Sequence, residues 1–225
     1  MKVCDLKLPT LQVALDFTSL NEALKLLSRI SDLDIGIVEV GTPLIKSEGV
    51  KAVTAVKSVV ANTPVLADTK TVDVGGLEAE VMLRAGADFV TLLAVADDPV
   101  IEAALRVARG LDGDVVVDFI SFRGDIFERI SELMNIGVRA INIHIGIDVQ
   151  RARGVTAASV RDIVRRISSE FTQAVIFVSG GIKPADIPSL LDAGAHVLVI
   201  GGAITRAPDP REAARECLRA VGRRI

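Results

Sequence analysis

The chain has no tryptophan and no tyrosine, and aromatic residues make up only 3% of its 225 positions. That scarcity argues against base-stacking surfaces, which need rows of aromatic rings. It also means that the core is assembled from Val, Ile, Leu and Ala, the residues that fill parallel sheets and the helices covering them. Neither charge sign dominates: 26 Lys and Arg stand against 29 Asp and Glu, a formal net charge of −3. No overall basic field therefore draws the protein to nucleic acid. No apolar run reaches membrane-spanning length, and Met1 to Thr10 lacks the apolar centre of a signal peptide, so a cytoplasmic protein with no membrane partner is expected. Cysteine is almost absent. Cys4 and Cys217 lack metal-ligand spacing and are expected as free thiols. One alternative is that a closed barrel brings the termini together and lets the two pair.

What is present is alternation. β-branched apolar runs at Leu11 to Leu15, Ile35 to Val40, Pro64 to Asp68, Asp88 to Leu93, Val115 to Phe119, Ala140 to His144, Ala174 to Val178 and Val197 to Ile200 read as strands. Helix-period segments separate them. Ser19 and Glu22 have capping-box spacing for a helix to about Ile30. A helix to about Ala61 is interrupted by Gly49, and others cover Val74 to Ala85, Asp97 to Gly110, Asp125 to Asn135, Gly154 to Phe171, Pro184 to Ala193 and Asp209 to Val221. Strict βα alternation implies a parallel sheet, and eight units with short connections fit a closed (β/α)8 TIM barrel, α/β in class. No shift in composition marks a second domain. One barrel domain over 1–225, with a short N-terminal extension over 1–10, is expected.

In such barrels the active site lies at the C-terminal strand ends. That rule selects Asp16, Glu39, Asp68, Lys70, Asp118 and His144, and sets Asp34, Asp88 and His196 on the opposite, stability face. Asp68 and Lys70 lie two apart and would face one way on a strand, with Asp73 beyond the turn. Four carboxylates around one lysine invite a cation. A divalent ion on Glu39 and Asp68 would suit all-oxygen ligands, as Mg²⁺ prefers, although Lys70 alone could neutralise Asp68. Ser179-Gly180-Gly181 and Gly201-Gly202 follow the seventh and eighth strands, where these barrels bind phosphate through close-approaching backbone N–H groups. From residues alone, the expectation is an enzyme acting on a small phosphate ester.

The Asp-x-Lys-x-x-Asp pattern at Asp68, Lys70 and Asp73 resembles the signature of the orotidine-monophosphate-decarboxylase superfamily. The stretches Leu11 to Asp16, Val38 to Lys46, Ala67 to Gly75, His144 to Asp148 and Ile200 to Thr205 are most similar to its 3-hexulose-6-phosphate synthase family. The resemblance implies an aldehyde-lyase that condenses ribulose 5-phosphate and formaldehyde to a 3-hexulose 6-phosphate. It implies Glu39 and Asp68 as Mg²⁺ ligands, Asp16 on a substrate hydroxyl, Lys70 at the reacting oxygens and His144 exchanging the proton at the reacting carbon. Asp118 is expected to contact substrate. Asp73 would reach a neighbouring subunit's site in a homodimer with shared active sites.

Some positions depart from the pattern. Arg151 and Arg153 follow His144 where the synthases have smaller residues, and Ser121-Phe122-Arg123 after the fifth strand is unusual. The nearest rival, 3-keto-L-gulonate-6-phosphate decarboxylase, typically has Glu near the end of strand five and Arg after the strand-eight glycine. Asp118 and Gly202 stand there in this chain. Orotidine-monophosphate decarboxylase needs no metal and has Thr where Leu77 stands, and an epimerase would need a second strand-end histidine. A non-catalytic phosphosugar-binding barrel is the alternative from another class, against which the intact Asp68, Lys70, Asp73 and His144 argue.

Overall fold

In the computed structural model, which describes residues 1–60 and 62–223, eight parallel strands close into a barrel in chain order. They are β1 (Thr10–Leu15), β2 (Ile37–Val40), β3 (Val65–Thr71), β4 (Phe89–Leu93), β5 (Asp114–Asp118), β6 (Ala140–His144), β7 (Val175–Ser179) and β8 (Val197–Ile200), with β8 returning to pair with β1. Both faces of every strand are covered, which is why the strands read as continuous apolar runs. Leu11, Val13, Leu15, Val38 and Val40 point outward into the layer shared with the helices. Ile37, Leu66, Phe89, Val116, Phe177 and Val197 point inward, and Val3, Leu6 and Leu8 of the N-terminal segment close the barrel's lower end beneath them.

The helices form because their apolar residues recur at helical spacing. In Leu20–Ile30, Ala23, Leu26, Leu27 and Ile30 are the buried set. Four local expectations differ. The Ser19–Glu22 capping box does not form: the Ser19 side chain makes no cap bond, and Glu48 takes the Leu20 N–H instead. The segment after β2 is two helices, Thr42–Glu48 and Lys51–Val60, divided at Gly49, and the expected end at Ala61 lies outside the described residues. β3 continues past Asp68 to Thr71. A helix over Ile147–Arg153 precedes the one expected from Gly154, which itself begins only at Arg161 after a 3₁₀ turn over Ala157–Val160. Ile147–Arg153 buries none of its residues, so it carries no apolar stripe to announce it.

The lower face behaves as a stability face. His196 Nδ1 accepts the Ile176 N–H at 3.1 Å, and Asp88 accepts from the Val65 N–H and from Lys57. The cysteines are both free: Cys4 is exposed, and Cys217 is buried, with burial pushing its thiol up to about 12. The pairing alternative is therefore not realised, because the Cys217 side chain faces the core. No helix among the described residues is long and apolar enough to cross a membrane.

Candidate active site

Seven strands each place one polar side chain inside the barrel near its C-terminal end: Gln12, Glu39, Asp68, Thr91, Asp118, Asn142 and Ser179, none more than 8% exposed. Together with Asp16, Lys70 and His144 they line a cavity of about 880 Å³. A buried polar group must find a partner, and these groups are arranged mostly to satisfy one another.

β3 carries the central pair. Its register against β4 slips between Ala67 and Thr71, and Lys70 takes a left-handed backbone with φ of 51°. A non-glycine residue there costs about 1–3 kcal/mol and persists only when its surroundings hold it. Thr91 does so, its Oγ1 accepting the Lys70 N–H at 3.0 Å and donating to Asp68 Oδ1 at 2.8 Å. Asp68 and Lys70 thus meet, as expected, but through this bulge and not through plain strand alternation. Lys70 Nζ lies 2.5 Å from Asp68 Oδ2, which also accepts from Thr42 Oγ1 at 2.7 Å. Burial alone would raise Asp68, yet the Lys70 charge and the hydrogen bonds from Lys70, Thr42 and Thr91 outweigh it and hold the carboxyl below its ordinary range. Burial likewise opposes the Lys70 charge, and Asp68 and Asp118 overcome it, holding the ammonium above the usual lysine range.

Glu39 has no such cation at hand. Its Oε2 accepts from Gln12 Nε2 at 2.6 Å, while burial first, then Asp68 and Asp16, push its carboxyl well above the usual range. Asp16 at the rim is raised as well, by loss of solvent within the mouth and then by Asp68. Gly41 permits this crowding, since a Cβ there would sit 2.3 Å from Asp16 Oδ1. The mouth holds more negative charge than Lys70 offsets.

Asp118, expected at the substrate, lies behind other residues. Its Oδ2 pairs with His144 Nδ1 at 2.8 Å and stands 3.8 Å from Lys70 Nζ, and its Oδ1 accepts the Ile120 N–H. This geometry places the proton on Nδ1 and leaves the Nε2 lone pair free. Across the mouth, Gly180 has φ of 113°, and a Cβ on it would meet the Ile145 carbonyl at 2.3 Å, so only glycine brings the backbone this close. Gly181, Gly201 and Gly202 line the same cavity, with Lys183 and Arg206 beside them. Ser179 is part of the floor, its hydroxyl donating to Asn142 Oδ1 at 2.9 Å. Arg151 also lines the cavity. Asp73 does not. It is exposed, accepts the Val74 N–H, and is flanked by the exposed apolar side chains Val72, Val74, Leu77, Val81 and Val95.

The donor set suits a hard divalent cation. Glu39 and Asp68 offer carboxylate oxygens in surplus negative charge, and Gln12 Oε1 is a buried oxygen with no hydrogen-bond partner among the described residues. Among those residues no three His, Cys, Asp or Glu side chains converge as a complete cage. Mg²⁺ is commonly held by one or two carboxylates, with water and substrate filling the rest.

Gln12, Thr42, Thr91 and Asn142 were not singled out from the sequence. Their signal was a lone polar residue inside or just after an apolar run, which must be paired if the run is a buried strand. Thr91 gives a direct test. Thr91→Val keeps the volume but strands an Asp68 oxygen and the Lys70 N–H, so it should destabilise the barrel by about 1–3 kcal/mol and lower turnover, while Thr91→Ser restores both. Thermal denaturation and turnover of the two variants check this. A valine variant with wild-type stability and turnover would contradict the anchoring role.

A sequence profile described as the Orotidine 5'-phosphate decarboxylase / HUMPS family matches residues 9–217. The 3-hexulose-6-phosphate synthase of Mycobacterium gastri is 39% identical over 211 residues, covering 94% of this chain and 99% of that protein. A solved 3-hexulose-6-phosphate synthase from Salmonella typhimurium superposes with a TM-score of 0.88 at 35% identity, over 94% of this chain and 98% of that one. A 3-keto-L-gulonate-6-phosphate decarboxylase from Vibrio cholerae O1 biovar El Tor str. N16961 gives 0.83 at 26% identity, over 96% and 98%.

Proposed function

We propose, from the premise that this chain belongs to the orotidine 5'-phosphate decarboxylase / HUMPS family, that it reversibly condenses ribulose 5-phosphate with formaldehyde to D-arabino-3-hexulose 6-phosphate with the help of Mg²⁺. The chain is an enzyme of the lyase kind, as are the synthases that it resembles at 35–39% identity. The observation that carries the finer reading is the unbroken line of contacts from His144 through Asp118 and Lys70 to Asp68, facing glycine loops across one cavity.

The chemistry follows from that line. His144 Nε2 takes a proton from C1 of ribulose 5-phosphate, its Nδ1–H being committed to Asp118. The electron pair left behind spreads onto the C2 oxygen as an enediolate. Lys70, held charged by Asp68 and Asp118, donates to that oxygen as its negative charge develops. C1 then attacks the formaldehyde carbon, a C–C bond forms, and the former carbonyl oxygen takes back the proton from His144. Bound Mg²⁺, with Glu39 and Asp68 as its protein ligands, supplies further positive charge in the same place. Asp16 holds a substrate hydroxyl. The backbone N–H groups around Gly180, Gly181, Gly201 and Gly202, on the Ser179 floor, take the phosphate, with Lys183 and Arg206 adding positive charge.

The working unit in this reading is a homodimer. Val72, Val74, Leu77, Val81 and Val95 are each 42–62% exposed around Asp73, an apolar cluster suited to a second copy of the chain. Covering it would carry Asp73 toward the neighbouring cavity.

The test is to incubate the protein with ribulose 5-phosphate and formaldehyde, with Mg²⁺ or with EDTA, and to follow formaldehyde. Consumption that requires Mg²⁺ supports the reading. Its absence, together with decarboxylation of 3-keto-L-gulonate 6-phosphate, would hand the site to the rival.

A further inference from the structure

Gln12 is used by nothing in that scheme, yet it is 2% exposed at the floor of the cavity. Its two amide atoms stand in unlike situations. Nε2 donates to Glu39 Oε2 at 2.6 Å, whereas Oε1 is buried without any hydrogen-bond partner among the described residues. A buried amide oxygen left bare is destabilising, and turning the amide over would set Oε1 against a Glu39 oxygen, acceptor against acceptor. The contact with Glu39 thus fixes which end of the amide is left to accept. No donor in the described chain reaches it, so the donor comes from what enters the cavity.

Resting on the Mg²⁺ reading above, we infer that Gln12 is a positioning residue of the metal site: Nε2 fixes the Glu39 carboxylate, and Oε1 accepts a hydrogen bond from a water on the cation. The donor chemistry agrees. Water on a divalent cation is polarised and offers only donors to its surroundings, which is what a lone carbonyl oxygen beside a metal-ligating carboxylate needs. Groups that orient the ligands of a metal typically alter its affinity by about 10–100-fold when removed.

Two measurements test this. The first is Mn²⁺ binding, followed by the loss of the free-ion electron paramagnetic resonance signal, to the wild type and to Gln12→Met, which keeps the length of the side chain and removes both amide atoms. The expected result is one site on the wild type and a dissociation constant about 10–100-fold higher for Gln12→Met. The second uses the unaltered protein, whose three glutamines are Gln12, Gln150 and Gln173. Titration with Mg²⁺ should shift the Gln12 side-chain amide resonances and leave those of Gln173 in place, which keeps the inference testable if Gln12→Met does not fold. A wild type that binds Mn²⁺ while Gln12→Met binds it equally well, or a Gln12 amide unmoved at saturating Mg²⁺, overturns the role given to Gln12 alone. A wild type that binds neither ion overturns the metal reading and this inference with it.

Discussion

Lys70→Ala is expected to lower turnover by at least about a thousandfold, the upper end of what one group stabilising a developing oxyanion supplies. Lys70 is also the cation shared by Asp68 and Asp118, at 2.5 and 3.8 Å. Removing it leaves two buried carboxylates uncompensated, a change that destabilises by about 3–5 kcal/mol where a buried pair is broken. The variant should therefore melt earlier but keep the circular dichroism of an intact barrel, because the apolar layers inside and outside the strands do not include Lys70. Steady-state turnover beside thermal denaturation separates the two effects. Wild-type turnover in a folded Lys70→Ala protein would refute the role given to the ammonium.

The same variant tests the shared site. Asp73 lines no part of its own cavity, so Asp73→Asn alone should also be inactive if it serves a neighbour. In a two-fold dimer each site then takes Lys70 from one copy and Asp73 from the other. A mixed dimer carries one doubly altered site and one intact site, so equal mixing of the two variants should restore about a quarter of wild-type activity. Verified mixed dimers without recovery would place both residues in one subunit's chemistry.

The fold was legible because the strand ends obeyed a rule of topology. Alternating β-branched runs and helix-period segments required a parallel sheet, and the C-terminal ends of its strands collected Asp16, Glu39, Asp68, Asp118 and His144 without any knowledge of their contacts. What stayed hidden has physical causes. Gln12, Thr91 and Asn142 each sit alone in an apolar run, where the residue type alone does not say whether its partner is structural or functional. The bulge at Lys70 is held by a hydroxyl on the next strand, a tertiary contact that no local spacing announces. The Ser19 cap lost to Glu48, 28 residues further along, for the same reason. Ile147–Arg153 buries nothing, so periodicity had nothing to detect. Asp118 was placed at the right end of the right strand, but only its distances to His144 and Lys70 show that it acts on substrate through them.

Glu39→Gln should trade activity for stability, and the sign of the trade is fixed by its surroundings. Burial, then Asp68 and Asp16, raise the Glu39 carboxyl well above its ordinary value of 4.5. A carboxyl raised in the folded state contributes stability in its protonated form at low pH, and that contribution is lost as pH rises through the folded value. At neutral pH the metal-free wild type thus carries a buried charge that the amide does not, while the Gln12 Nε2 donor still finds an oxygen opposite it. Metal-free Glu39→Gln is expected to melt about 2–4 °C above the metal-free wild type near pH 8, the shift made by ~1 kcal/mol in a chain of this size. The gap should close toward the ordinary Glu value of 4.5, where the wild-type carboxyl is already protonated. Added Mg²⁺ should raise the wild type's melting temperature at neutral pH and leave the variant's unmoved, because a cation binds the charge that the amide lacks. Turnover should fall by about a thousandfold, since the several kcal/mol of charge stabilisation that a metal ion supplies correspond to a factor of that size. Denaturation scans across pH with and without Mg²⁺, paired with formaldehyde consumption, measure both sides. A variant less stable than the wild type throughout that range, or one that still answers to Mg²⁺, would mean that Glu39 is held in place by something other than the need to carry a cation.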